Sequence, residues 1–267
     1  MHFHLYDLIL LFFIYSFLGW CLEVSYAAIK TGKFVNRGFL YGTVCPIYGL
    51  GALIVIISLN PIKNNILLLF LASILLTSFL EFLAGFLLEK IFQNKWWDYS
   101  DLPYNLKGYI CLKFSIYWGI ACIFIIKFIQ PFIYTLINAI PIILGKIIIM
   151  LLILFIIVDI IATIITVLNL NKRLKLISEI SKNIKRLSDE VGQTISDTSL
   201  KVSEKISPIK EDLNIGILKL DELRSKYKEL FEKNIRSHNR ILKAFPSLRS
   251  KKYNLILEKL KNYHIKK

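Results

Sequence analysis

The chain lacks the spacings that build metal and redox centres. Its four cysteines, Cys21, Cys45, Cys111 and Cys122, show no paired arrangement of the zinc or dithiol kind. Of four histidines, two sit at the extreme N-terminus and two toward the C-terminus, and no HExxH pattern occurs. There is no GxxxxGK[ST] loop, so the chain has no phosphate cradle for ATP of its own. Charge is sparse over residues 1–169, which hold 10 Lys/Arg and 7 Asp/Glu, whereas residues 170–267 hold 24 and 12. These absences argue against a metal or thiol-redox centre and against a self-contained ATPase. No cofactor is expected, and the two parts of the chain suit different solvents.

Apolar runs fill the uncharged part. Five lie near 5–29, 43–60, 65–88, 112–136 and 143–168, each close to the ~20 residues that cross a hydrocarbon core about 30 Å thick. The expected fold class is all-α: a polytopic transmembrane domain over 1–169 with about five transmembrane helices. An amphipathic helix over 170–221 and a basic helical tail over 222–267 are expected to follow. The first run lacks a basic leading region and a small-residue cleavage site, so it is expected to remain as a span. Lysine and arginine in short loops set orientation. Lys30, Lys33 and Arg37 follow the first span, and Lys90, Lys95, Lys107 and Lys113 surround the third connection, against Lys63, Lys127 and Lys146 opposite. This predicts a multi-pass protein of the cell (inner or plasma) membrane, with the N-terminus outside and the tail in the cytoplasm. The first three cysteines would then face a reducing compartment as packing residues.

A carboxylate within a span costs about 2.5–3.5 kcal/mol on insertion scales and usually faces protein or a water-filled cavity. Glu23, Glu81 and Asp159 are three such groups, roughly 10, 13 and 15 Å from the cytoplasmic ends of their spans at 1.5 Å per residue. Their similar depth permits one polar cavity able to handle protons or a cation. The alternative is three separate residues, each hydrogen-bonded to its own neighbours. Thr77, Glu81, Gly85 and Glu89 form a polar or small stripe of the kind that packs another helix. Between the first two spans, "NRGFLYGTVCPIYGLG" (36–51) supplies Gly38, Gly42, Gly49 and Pro46. These suit either a broken, re-entrant segment or a tight turn followed by close helix packing. On the same side lies "NKWWDYSDLPYNLKGYIC" (94–111). Here Trp96 and Trp97 suit interface anchors, Asp98 and Ser100 a turn or helix end, and Asn105 with Gly108 a turn before the fourth span.

Four phrases in this order, "YSFLGWCLEV", "NRGFLYGTVCPIYGLG", "FLEFLAGFLLEKIF" and "WWDYSDLPYNLKGYICLKFSIYWG", resemble the family called putative ABC-transporter type IV, or CmpB-like, over roughly residues 8–160. The resemblance carries onto Gly19, Trp20 and Glu23; onto Gly38, Gly42, Cys45, Pro46, Tyr48 and Gly49; onto Glu81 and Glu89; and onto Trp97, Asp98, Tyr99, Ser100, Asn105 and Gly108. Thr43 stands where many relatives have Pro, and Tyr109 where Arg is common. The resemblance implies a permease that needs a separate cytoplasmic ATPase subunit. It also draws Glu23, Glu81, Asp98, Asn105, Tyr48, Tyr99 and Trp20 into one polar site, for substrate binding or structure.

From residue 180 the apolar positions fall as Ile180, Ile184, Leu187; Val191, Ile195, Thr198; Val202, Ile206, Ile209; Leu213, Ile217, Leu220. This 11-residue period keeps the stripe on one face of a nearly straight helix. Another helix, as in a coiled-coil homo-oligomer through 180–220, or the membrane surface would cover it, and Pro208 is expected to kink or break it. The basic, aromatic-bearing stretch after 222 fits membrane lipid better than nucleic acid, because a tethered tail meets lipid first, and a soluble helical spacer is the alternative to both. Two functions of other classes stand beside the permease. One is a membrane enzyme acting on a lipid headgroup, with Glu23, Glu81 or Asp98 as acid or base but no evident nucleophile–base pair or metal set. The other is a scaffold that anchors the tail.

Overall fold

The computed structural model describes residues 4–200 and 206–265. They form two units. The first comprises the chain up to Ile165 together with Arg240–Lys251, and the second comprises Thr166–Asn239 with the residues from Lys252 onward.

In the first unit the apolar runs become helices α1 (Leu5–Thr31), α2 (Pro46–Leu59), α3 (Ile66–Phe92), α4 (Leu112–Phe124), α5 (Gln130–Ala139) and the start of α6 (Ile142–Leu200). Among the described residues, Leu5–Thr31, Ile66–Phe92, Leu112–Ala139 and Ile142–Ser196 are long and apolar enough to cross a membrane, while Pro46–Ile62 is a shorter apolar helix. The run expected from 43 therefore starts three residues later. Pro46 occupies the first helical position, where its missing N–H costs nothing. Between α4 and α5 the helix widens over Ile125–Ile129, where Gln130 N–H bonds the carbonyl of Ile125. Pro131 explains this, since it cannot donate and its ring crowds the carbonyl four residues back.

Packing joins these helices through three apolar clusters. Leu10, Leu11 and Tyr15 meet Ile56, Ile133, Ile137 and Ile149; Val55, Leu59 and Leu69 meet Cys122 and Ile126; Phe13 meets Leu40, Val44 and Ile156. Tyr15 also donates to buried Gln130 at 2.7 Å, fixing α1 to α5. The outward faces stay greasy: Leu67, Leu75, Ile143 and Leu154 are 69, 73, 77 and 62% exposed. That surface is costly in water and at home in lipid.

The connections carry short strands. β1 (Asn94–Lys95) pairs antiparallel with β4 (Arg249–Ser250), and β2 (Asn105–Leu106) with β3 (Ile110–Cys111). The β2–β3 turn has positive φ at Lys107 and Gly108 (53° and 69°), the geometry of a type I′ hairpin. Gly108 is required twice over, because a Cβ there would enter Asp98 Oδ1, Ser100 Oγ and Lys95 Nζ.

The second unit is helical: the remainder of α6, most of α7 (Ile206–Ala244) and α8 (Asn254–Ile265). The 11-residue stripe thus runs over two helices and not one. Val202 lies outside the described residues, as do the side chains of Thr198, Ile206 and Ile209. Pro208 falls in the first turn of α7. A Cβ on Gly216 would touch Val191, and Arg173 donates to the carbonyl of Lys233 at 3.3 Å, so α6 and α7 pack antiparallel. Part of the stripe is covered by the chain's own α7. Its best-buried stretch lies upstream of the expected start, at Val167, Leu170, Leu174 and Ile177, each fully buried, while Ile195 and Ile217 remain exposed.

Candidate functional site

Close contact between α1 and α2 builds the first half of the site. Ser16 accepts the Cys45 N–H at 3.0 Å through its carbonyl, and Gly19 and Gly49 have no room for a Cβ against the Tyr48 ring and against Ser16 and Phe12 respectively. Gly49 thus serves helix packing. Tyr48 is thereby laid along α1 and donates to Glu23 at 2.5 Å. The other Glu23 oxygen lies 3.3 Å from Arg37, in an ion pair about a quarter exposed on each side. Burial, and next the nearby charge of Glu23, push the Cys45 thiol up to about 12, so it stays protonated near neutral pH.

The second half comes from α3 and the 93–111 connection. Tyr99, stacked on Phe114, donates to Glu81 at 3.1 Å, while the second Glu81 oxygen is buried without a hydrogen-bond partner. Burial first, then the Glu81 charge and hydrogen bond, hold the Tyr99 hydroxyl far above the ordinary tyrosine range, with Cys111 and Glu23 adding to the shift. The Glu23–Tyr48 and Glu81–Tyr99 pairs therefore share one electrostatic neighbourhood. Trp118 closes on Tyr48 edge-to-face. About two turns along α3, Tyr109 donates to Glu89 at 2.7 Å, and burial followed by that bond lifts its hydroxyl to about 12.

The remaining sequence candidates hold loops and turns together. Asp159 stands apart from the two pairs. Its oxygens accept the N–H groups of Tyr41 and Gly42 at 2.8 and 2.7 Å, with Thr163 at 3.3 Å. The shared three-acid cavity is not what forms, because two adjacent donors satisfy this carboxylate locally. Trp20 donates to Asn36 at 2.9 Å, and Asn36 in turn accepts from Gly38 and donates to the carbonyl of Tyr41. Asp98 is saturated by Lys95, Ser100 and Arg249. Burial would raise its carboxyl, but the bonds from Ser100 and Lys95 outweigh that and hold it below the usual aspartate value. Asn105 ties the turn, donating to Ser100 and Leu102 carbonyls and accepting from Gly108. Trp97 donates to the carbonyl of Tyr109. Trp96 is no interface anchor: it is 3% exposed and packs among Phe39, Phe92 and Phe245.

Sequence reasoning missed Arg240, Phe245 and Arg249, three residues within a stretch read as generic basic tail. Arg240 donates to the carbonyls of Gly38, Leu40 and Phe39 at 2.9, 3.0 and 3.0 Å and lies 4.2 Å from the Tyr41 ring centroid. Arg249 reaches Asp98 at 2.7 Å. Such long-range pairings leave no local pattern in the chain.

Helices of this length and lipophilicity, stacked through glycine and buried polar contacts, define a polytopic α-helical membrane protein. The chain belongs to the family described as putative ABC-transporter type IV, which matches residues 10–164. No curated protein and no solved structure matches it. The family match ends at the residue before the boundary of the first unit in α6, so Arg240–Lys251 belongs to that unit but lies outside the matched region.

Proposed function

We propose that this chain is the membrane-spanning permease component of a transporter that works with a separate ATP-hydrolysing subunit. The Glu23–Tyr48 and Glu81–Tyr99 pairs are its cytoplasm-facing polar site. The observation that carries the reading is the Glu81 carboxylate, with one oxygen held by Tyr99 and the other buried without a partner. An unmet carboxylate oxygen in an apolar surrounding is costly, and such groups in spans mark substrate or ion pathways. Glu81 has capacity for a proton or a cationic group, and Glu23 sits in the same electrostatic neighbourhood. Asp98, by contrast, has its acceptor capacity filled, which disfavours the lipid-headgroup enzyme in which it would act as acid or base.

The test is to purify the full chain from its native membrane in mild detergent, identify the ATP-binding subunit retained with it, and reconstitute the complex. Glu23→Gln and Glu81→Gln keep the tyrosine bonds but remove charge. They should leave assembly intact and lower ATP turnover by at least about tenfold, the scale of one hydrogen bond to a charged group. Absence of any ATP-binding partner, or wild-type turnover in both variants, would refute the proposal.

A further inference from the structure

We infer that residues 240–251 form an intramolecular clasp that ties the 36–42 loop to the 94–100 turn, with Arg240 and Arg249 as its positioning residues. Each half of the polar site depends on one of these segments. The 36–42 loop leads through Cys45 into Tyr48, and the 94–100 turn carries Tyr99 itself. The inference rests on reading the Glu23–Tyr48 and Glu81–Tyr99 pairs as the site, and it assigns control of their relative placement to a segment outside the family match.

Arg240 grips the first segment. Its planar fork bonds three successive carbonyls, of Gly38, Phe39 and Leu40, a pattern that suits arginine's preorganised donors. The same loop is also held by Asp159 through the N–H groups of Tyr41 and Gly42, so both carbonyls and amides of one turn are fixed by charged side chains. Arg249 grips the second segment at Asp98, beside the Asn94↔Ser250 and Lys95↔Arg249 ladder and the bond from Lys251 N–H to the Gln93 carbonyl. Phe245 lies between, edge-on to Trp96, which in turn meets Phe39 from the other loop. One 12-residue stretch therefore contacts both loops at the points where they touch each other. Arg240 Nε and Trp96 Nε1 are buried without hydrogen-bond partners.

Hydrogen–deuterium exchange on the full chain in mild detergent tests this. In Arg240→Ala, peptides covering 36–42 should exchange faster by at least about tenfold, the factor for losing one hydrogen bond to a charged group; in Arg249→Ala, peptides covering 94–100 should do so. The clasp further requires reciprocity. Arg240→Ala should also accelerate 94–100, and Arg249→Ala should accelerate 36–42. Buried Ile241 and Leu248 remain in both variants to hold the segment, and Arg240→Lys, which keeps charge but not the fork, gives a milder version should alanine prevent folding. Acceleration confined to the mutated end, or none, overturns the clasp. Exchange does not depend on ATP turnover, so reciprocal exchange with unchanged turnover in Glu23→Gln and Glu81→Gln would sink the transport reading while leaving the clasp standing.

Discussion

Two of the intramembrane acids, Asp159 and Glu23, should separate cleanly by what their loss costs. Asp159→Ala strips the acceptor from the Tyr41 and Gly42 amides, bonded now at 2.8 and 2.7 Å. Leaving a buried donor unmet costs about 1–3 kcal/mol; both bonds here are part-buried, so the low end applies and the two amount to about 2 kcal/mol. For a domain of 150–250 residues, each kcal/mol moves Tm by about 2–4 °C, which predicts a fall of at least about 4 °C. Glu23→Gln keeps a carbonyl oxygen for the Tyr48 hydroxyl and gives up only a partly exposed ion pair with Arg37, worth about 0–1 kcal/mol. Thermal unfolding in detergent, followed by tryptophan emission, reads both, since Trp96 reports from the unit's interior. The reasoning fails if Asp159→Ala unfolds within about 1 °C of wild type, or if Glu23→Gln falls as far as Asp159→Ala.

Two smaller predictions accompany it. Gly108→Ala forces a side chain into a left-handed residue, at about 1–2 kcal/mol, and into the groups that saturate Asp98; the 94–111 connection should become open to limited proteolysis, and unchanged resistance would contradict the turn geometry. His238, buried in the second unit, has its pKa lowered from 6.5 chiefly by burial, with the Arg173 charge adding and bonds to Asn234 and Thr166 opposing. The unfolded chain therefore binds the proton more readily, so the stability this residue contributes is fully present above 6.5 and lost as pH falls below it. Tm followed downward through that window should fall more steeply in wild type than in His238→Gln, and parallel profiles would remove His238 as the cause.

Periodicity and hydropathy make the helices legible because each is a local property of the chain, and four separated motifs made the family legible as well. The Glu23 and Glu81 sites were readable as costly charges in apolar runs, and Tyr48 and Tyr99 were drawn into the same polar site, but which tyrosine meets which acid was not readable. Tyr48 and Tyr99 reach them across 25 and 18 residues of chain. Asp159 misled because depth in a span does not reveal which backbone amides approach it. Trp96 misled for a related reason: a tryptophan beside a span reads as an interface anchor until Phe245, far along the chain, is known to cover it. The 11-residue period, in turn, gives no sign that α7 packs back against α6 and covers part of the stripe itself.

We infer from contacts on its two flanks that the short helix α2 also crosses. Phe39, in the loop after α1, packs on Trp96, in the connection after α3, at 4.8 Å between ring centroids. The ends of α1 and α3 therefore lie together on one side. With α3 crossing the bilayer toward that side, the chain has to have left it beforehand, and α2 is the helix available to do so. Its 14 residues and three-residue turn span about 26 Å at 1.5 Å per residue, slightly less than the ~30 Å core. Local thinning absorbs such a mismatch at fractions of a kcal/mol per Å, and Lys63, directly after the turn, can extend its amine to the headgroups. A single added cysteine at exposed Asn64 should then react with a membrane-impermeant maleimide from the outer face of intact cells. One at exposed Lys33 should react only after permeabilisation. Background is low, because Cys45, Cys111 and Cys122 are buried and Cys21 half-buried. Labelling of both positions from the same side would mean that α2 re-enters without crossing, and the orientation of every later span would have to be reversed.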